Sequence, residues 1–168
     1  MSDSHPVTIS PSPTHKGQWE LLAQLWLPQK RDQVFNFFAD AGNLERITPP
    51  FLKFRIVTPQ PITMRQGTLI DYRLRVHAVP ISWRTEITRW DPPFAFEDSQ
   101  IRGPYSVWVH EHTFADADGG TLVTDKVRYR PPFGALANAI MVKRDLMKIF
   151  GYRHDVLKDI FGVSRQAA

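Results

Sequence analysis

The sequence predicts an α+β fold: a curved antiparallel sheet of about seven strands wrapped around one long C-terminal helix, with two short helices after the first strand. Three observations point there. From Phe51 to Tyr129 apolar residues recur with a period of two, in short runs separated by turn signals. From about Ala135 to Phe161 the period changes to three and four, the mark of an amphipathic helix. The gaps between the strand runs are too short for crossover helices, so neighbouring strands pair antiparallel.

The elements follow in order. Trp19 to Leu27 (WELLAQLWL) reads as a first strand ended by Pro28, although its near-continuous apolar character leaves a helix open. Lys30 to Ala39 sets Val34, Phe35 and Phe38 at helical spacing, and Asp40 to Ile47 reads as a second short helix stopped by Thr48-Pro49-Pro50. Strands are expected at Phe51–Val57, Thr68–Val76, Ile81–Trp90, Phe94–Ile101, Tyr105–Phe114 and Thr121–Tyr129. The stretches Ala78-Val79-Pro80, Asp91-Pro92-Pro93, Gly103-Pro104 and Asp116–Gly120 supply the turns. The long helix carries Leu136, Ile140, Met147, Phe150, Leu157 and Ile160 on its apolar face, with Gly151 as a candidate bend. At 1.5 Å per residue it is roughly 40 Å long.

Length and composition set the outer limits. The 168 residues fit one domain, expected over 18–162 between a flexible, Ser- and Pro-rich N-terminal tail (1–17) and a C-terminal tail (163–168). With 42 % hydrophobic and 23 % charged residues the composition is that of a globular protein. The lack of Cys excludes disulfides, Cys zinc sites and a thiol nucleophile. No basic-then-apolar leader opens the chain and no apolar run is long enough to span a bilayer, so a cytoplasmic protein without integral membrane association is expected. The net charge of +4 is scattered among acids, as in KRDQ and VKRDLMK, which argues for a basic surface and against nucleic-acid binding. No nucleotide-binding glycine loop, GxSxG elbow, CxxC or HExxH occurs, so no cofactor is expected.

A sheet with one apolar face needs a cover, and the terminal helix is the only candidate. A twisted sheet wrapped around one helix leaves a hollow suited to a ligand. The segments GTLIDYRLRVHAVPISWRTEI, FEDSQIRGPYSVWVHEHTF, GGTLVTDKVRYRPPFG and IFGYRHDVL carry a resemblance. Over about residues 18–162 the chain resembles the START/Bet v 1-like helix-grip superfamily. Within it, the chain looks like the bacterial polyketide cyclase/dehydrase-like SRPBCC ligand-binding branch. The resemblance implies a helix-grip fold and a pocket for a lipid, isoprenoid, aromatic or polyketide-like molecule. It also implies a possible partner, an NAD(P)-dependent epimerase-like protein, since similar domains occur fused to or encoded with one. The superfamily contains carriers as well as enzymes, so whether the chain is a cyclase/dehydratase-type lyase or isomerase stays open.

Hairpin arithmetic places the chemistry. With Phe114 opposite Thr121 across DADGG, His112 faces Val123, His110 faces Asp125 and Trp108 faces Val127. Alternation then gathers Trp108, His110, His112 and Phe114 on one face with Asp125, Phe96, Asp98, Gln100, Trp83, Tyr72 and Leu74. Unpaired polar groups in a dry core cost on the order of 1–3 kcal/mol each, so this mixed face signals either mutual pairing or a wet, ligand-bearing pocket. Expected ligand-binding residues are Tyr72, Trp83, Phe96, Asp98, Gln100, Trp108, His110, His112 and Phe150, with His110 and Asp125 as a catalytic pair in the enzymatic reading. There, Gln100 or Tyr72 polarises the substrate oxygen.

Three readings of the two histidines compete: braces of the sheet bonded to Asp125, ligand-contacting or proton-moving groups oriented by Asp125, or metal ligands with Asp98 or Asp125. The metal reading ranks last and no metal is expected, because no second cupin-like histidine motif exists and the terminal helix is foreign to cupins. His5, His15, His77 and His154 read as solvated or packing residues. Arg153, beside Phe150 on the apolar helix face, is either a buried ion-pair partner or a residue reaching out of the pocket mouth.

Overall fold

Residues 7–132 and 141–163 are described in a computed structural model. Its strands are β1 (Thr8–Pro11), β2 (Trp19–Leu27), β3 (Arg55–Ile56), β4 (Leu69–Val76), β5 (Val79–Asp91), β6 (Ala95–Arg102), β7 (Val107–Ala117) and β8 (Gly120–Arg130). The helices are α1 (Arg31–Ala39), α2 (Asn43–Arg46) and α3 (Lys143–Ile160), with a 3-10 turn at Pro50–Leu52. The expected start of the last helix, Ala135, its Leu136 and Ile140, and His5 lie outside the described residues.

The strands form one antiparallel sheet in the order β1-β2-β8-β7-β6-β5-β4-β3. Eight strands replace the expected seven because residues 8–11, assigned by sequence to a flexible tail, pair with Trp19–Leu22. An edge strand needs only one row of backbone bonds, so Pro11 is tolerated there, and Ile9 turns inward to cover Leu21. The helical alternative for β2 falls: Leu21, Ala23, Leu25 and Leu27 are buried while Leu22 is exposed. The expected strand Phe51–Val57 shrinks to Arg55–Ile56, because Pro49-Pro50 sets up the 3-10 turn that precedes it.

The β7–β8 hairpin corrects the register. The turn is the two-residue Asp118-Gly119, both at positive φ, a conformation that an Asp-Gly pair adopts readily. Ala117 therefore faces Gly120, Phe114 faces Val123, His112 faces Asp125, His110 faces Val127 and Trp108 faces Tyr129. The slip from the expected pairing is two residues, so every side chain keeps its face and only the partners change. A second irregularity lies between Ile87 and Arg89, where Thr88 is an extra residue opposite β6. This bulge bends β5 and returns Trp90 to the inner side, against Phe35 and Phe96.

Two apolar cores hold the layers together. Val34, Phe35 and Phe38 of α1 pack with Leu25, Leu27, Phe96, Phe114, Val123 and Leu157. Phe35 meets Phe114 edge-on at 5.3 Å between ring centres. Leu146 and Phe150 of α3 pack on Leu21, Ala23, Val127 and Tyr129. Leu146 takes the inward place expected of Met147, which is 43 % exposed. Both cores join α3 to the β2–β8 half of the sheet. The β4–β6 half curves away from the helix, and a hollow opens between them.

Candidate functional site

That hollow is a cavity of about 1,040 Å³. Its walls come from β4 (Ile70, Tyr72, Leu74, Val76), β5 (Ile81, Trp83, Ile87), β6 (Phe96, Asp98), β7 (Trp108, His110, His112), the α1–α2 segment and α3. Phe51, Val79 and Met141, each about half exposed or more, mark where it meets solvent. One wall is aromatic: Trp83 and Trp108 cross edge-to-face at 5.3 Å, and Tyr105 leans on both.

The polar centre is built on three adjacent strands. Asp98 comes from β6, His110 and His112 from β7 and Asp125 from β8, so the histidines stand between two carboxylates. His110 Nε2 lies 3.1 Å from Asp125 Oδ1. His112 Nδ1 lies 2.7 Å from the same oxygen, but off the hydrogen-bonding direction. On the other side His112 Nε2 is 3.3 Å from Asp98 Oδ2, and His110 Nδ1 is 3.8 Å from it. The two imidazole ring centres lie 3.8 Å apart with their planes tilted by 34°, and His112 stacks on Phe96 at 4.2 Å. Thr85 Oγ1, fully buried, sits 3.1 Å from Asp98 Oδ1 and 3.0 Å from the Ser99 carbonyl. From α3, Arg153 Nη1 reaches to 4.0 Å from Asp125 Oδ2.

The charge states follow from these contacts. Burial and the neighbouring His112 lower the proton affinity of His110, against the pull of Asp125 and Asp98. Burial acts on His112 too, but Asp125 and Asp98 outweigh it and raise the pKa. Burial alone would push both carboxyls up; instead the histidines hold Asp98 below its usual range and Asp125 well below. Near neutral pH the cluster thus contains two carboxylates, a neutral His110 and the Arg153 cation, and His112 is the histidine that takes up a proton more readily. Because ionised Asp125 can only accept, neutral His110 carries its proton on Nε2 and leaves Nδ1 bare. Burial and then Asp98 push the Tyr72 phenol far up, so it stays protonated.

Of the residues expected in the site, Tyr72, Trp83, Phe96, Asp98, Trp108, His110, His112 and Phe150 line the cavity. Asp125 sits behind the histidines, 2 % exposed, and supports them without lining the space. Gln100 does not line it. Its amide accepts from the Tyr105 N–H and donates to the Tyr105 carbonyl, closing the β6–β7 turn. The reason is local: Pro104 lacks an N–H, and the turn takes its bonds from the nearest amide side chain. Sequence reasoning left Arg153 undecided; it lies buried at the cavity wall, over the Phe150 ring at 4.8 Å. His154 is buried as well, and His77 is exposed and paired with Asp145 at 2.7 Å.

One nitrogen from each histidine and one oxygen of Asp98 lie within 4.8 Å of one another, a spacing compatible with a divalent cation. Asp125 already takes His110 Nε2, and Asp98 takes His112 Nε2.

The comparisons agree with this architecture. The family described as "Polyketide cyclase / dehydrase and lipid transport" matches residues 27–146. No curated protein matches the chain by sequence. Among solved structures, protein Ms6760 from Mycobacterium smegmatis superposes with a TM-score of 0.68 at 18 % identity, covering 95 % of this chain and 100 % of its own. Protein TTHA0849 from Thermus thermophilus gives 0.68 at 14 %, over 86 % and 99 %. The ginseng major latex-like protein 151 from Panax ginseng gives 0.64 at 12 %, over 86 % and 97 %. At these identities the likeness is one of fold, and it is the grip of a curved sheet on a C-terminal helix. With most of its length matched by the family, the chain belongs to the polyketide cyclase/dehydrase and lipid transport family and has the START/Bet v 1-like helix-grip fold.

Proposed function

We propose that the protein binds a hydrophobic small molecule of lipid, isoprenoid, aromatic or polyketide type in the cavity between the sheet and α3. Family membership supports hydrophobic ligand binding in general. The observation that carries the reading is an apolar-walled cavity of about 1,040 Å³ with a buried polar cluster at its wall. Volumes near 300–1,000 Å³ hold drug-sized ligands, with apolar walls supplying affinity and a few polar groups fixing orientation. The test is titration with the neutral fluorophore 1-N-phenylnaphthylamine. One equivalent is expected to bind, and Trp108→Arg, with its fold checked by circular dichroism, is expected to abolish binding. No saturable binding to the native protein defeats the proposal.

One observation favours a second, enzymatic reading in the same cavity. His110 is neutral, oriented through Nε2 by Asp125, and presents a bare Nδ1. Such a base removes a proton next to a substrate carbonyl while the Tyr72 phenol donates to the oxygen. In a cyclase/dehydratase assay on a poly-β-ketone, His110→Ala is expected to abolish turnover and leave binding nearly unchanged. Full turnover in that variant removes His110 from the role.

A further inference from the structure

Arg153 is a cation of the polar cluster with no hydrogen bond to a carboxylate among the described residues. It projects from α3 between the two cores, its side chain is only 9 % exposed, and it lines the cavity. Its Nε is fully buried and, among the described residues, has no hydrogen-bond partner. Its closest carboxylate contact is Asp125 at 4.0 Å, beyond hydrogen-bond reach. A guanidinium has five N–H donors, and a buried one left without acceptors is costly.

The neighbouring acids do not relieve this. Asp125 is held by the two histidines at 2.7 and 3.1 Å, and Asp98 is held by His112 and Thr85. Phe150 contributes only its ring face. The cavity wall therefore presents a largely buried cation whose Nε–H is unpartnered among the described residues, next to apolar and aromatic surface. The group that complements it is an oxygen anion on an apolar body.

From this juxtaposition we infer that Arg153 is an anion-binding residue of the cavity and that the ligand is an apolar carboxylic acid, its carboxylate seated on the Arg153 guanidinium and its hydrocarbon or ring system along the Trp83–Trp108 wall. This inference rests on the binding function proposed above and narrows its ligand class. Planar two-toothed pairing of guanidinium with carboxylate supplies both strength and orientation, which a lysine ammonium does not reproduce.

The test compares cis-parinaric acid with its methyl ester, two probes of equal chain and unequal charge, by fluorescence titration. The native protein is expected to bind the acid about tenfold or more tightly than the ester, the effect of one charge-assisted pair. In Arg153→Met the acid is expected to fall to the level of the ester, with the ester unchanged. Equal affinities in the native protein overturn the inference, as does an acid preference that survives in Arg153→Met. Should Arg153→Met not fold, Arg153→Lys carries the test. It keeps the charge and loses the fork, so acid affinity is expected to drop several-fold, and an unchanged affinity overturns the inference. Failure of both probes to bind defeats the binding function itself, whereas equal binding of both leaves that function standing and removes only the carboxylate.

Discussion

His112 and Asp125 stand directly opposite each other on β7 and β8, with Nδ1 2.7 Å from Oδ1, in a region where both side chains are almost fully buried. Asp125 is shared: its other neighbours are His110 and, at 4.0 Å, Arg153. Removing the one carboxylate that serves three basic groups strands a buried cation. Asp125→Ala is accordingly expected to destabilise the fold by about 3–5 kcal/mol. Urea unfolding checks this, and a loss under about 1 kcal/mol contradicts the pairing.

Stability is expected to peak near neutral pH, with a limb on each side. His112 binds its proton more tightly folded than unfolded, so its contribution is complete below about pH 6.5 and is lost as pH rises through its raised value. His110 resists protonation when folded, so stability falls as pH drops below about 6.5. Asp98 and Asp125 are lowered; their contribution is complete above about pH 3.8 and is lost below it, deepening the acid limb. Melting temperatures from pH 3 to pH 9 report this directly. In His112→Gln the alkaline limb is expected to vanish; its persistence assigns the limb elsewhere.

Addition of Zn²⁺ or Ni²⁺ is expected to leave the melting temperature within about 1 °C, because Asp125 and Asp98 already engage the histidine nitrogens and specific binding of a metal raises stability by mass action. Removal of metals with EDTA is likewise expected to change nothing. A stoichiometric metal in the purified protein, measured by elemental mass spectrometry, contradicts the pairing of His110 and His112 with Asp125 and Asp98.

Gly120 has no room for a side chain. A Cβ there would lie 2.2 Å from the Leu27 carbonyl oxygen and 2.8 Å from the Trp26 ring. Gly120→Ala forces β2 and β8 apart where they pair and is expected to cost about 2 kcal/mol or more. Gly119, in the same hairpin, has open space around its Cβ position but a positive φ. Gly119→Ala is therefore expected to be milder, about 1 kcal/mol. Denaturant midpoints of the two variants rank the effects.

What the sequence disclosed, and what it withheld, divides along physical lines. Period-two patterning placed β4 to β8 and their inner face, because alternation depends only on neighbouring residues. The same patterning could not choose between pairings two residues apart, since both keep the face; the Asp118-Gly119 turn decided, and His112 rather than His110 came opposite Asp125. Strand β1 escaped because an edge strand with Ser and Pro carries almost no apolar signal. Arg153 stayed ambiguous because a cation on an apolar helix face is compatible with burial or escape, and only the position of α3 over Asp125 settles it. Gln100 looked like a site residue because its register is right; its side chain is taken by a turn that its own neighbours Gly103 and Pro104 create.

The most direct test of a ligand-bearing cavity is mass spectrometry of the purified protein, first native and then denatured and solvent-extracted. The binding function predicts a stoichiometric apolar compound on the native protein that is released on denaturation, and its chemistry reports on the carboxylate expected at Arg153. A clean ligand-free mass, together with no saturable uptake of 1-N-phenylnaphthylamine, contradicts it and leaves His110, His112 and Asp125 as internal braces of the sheet.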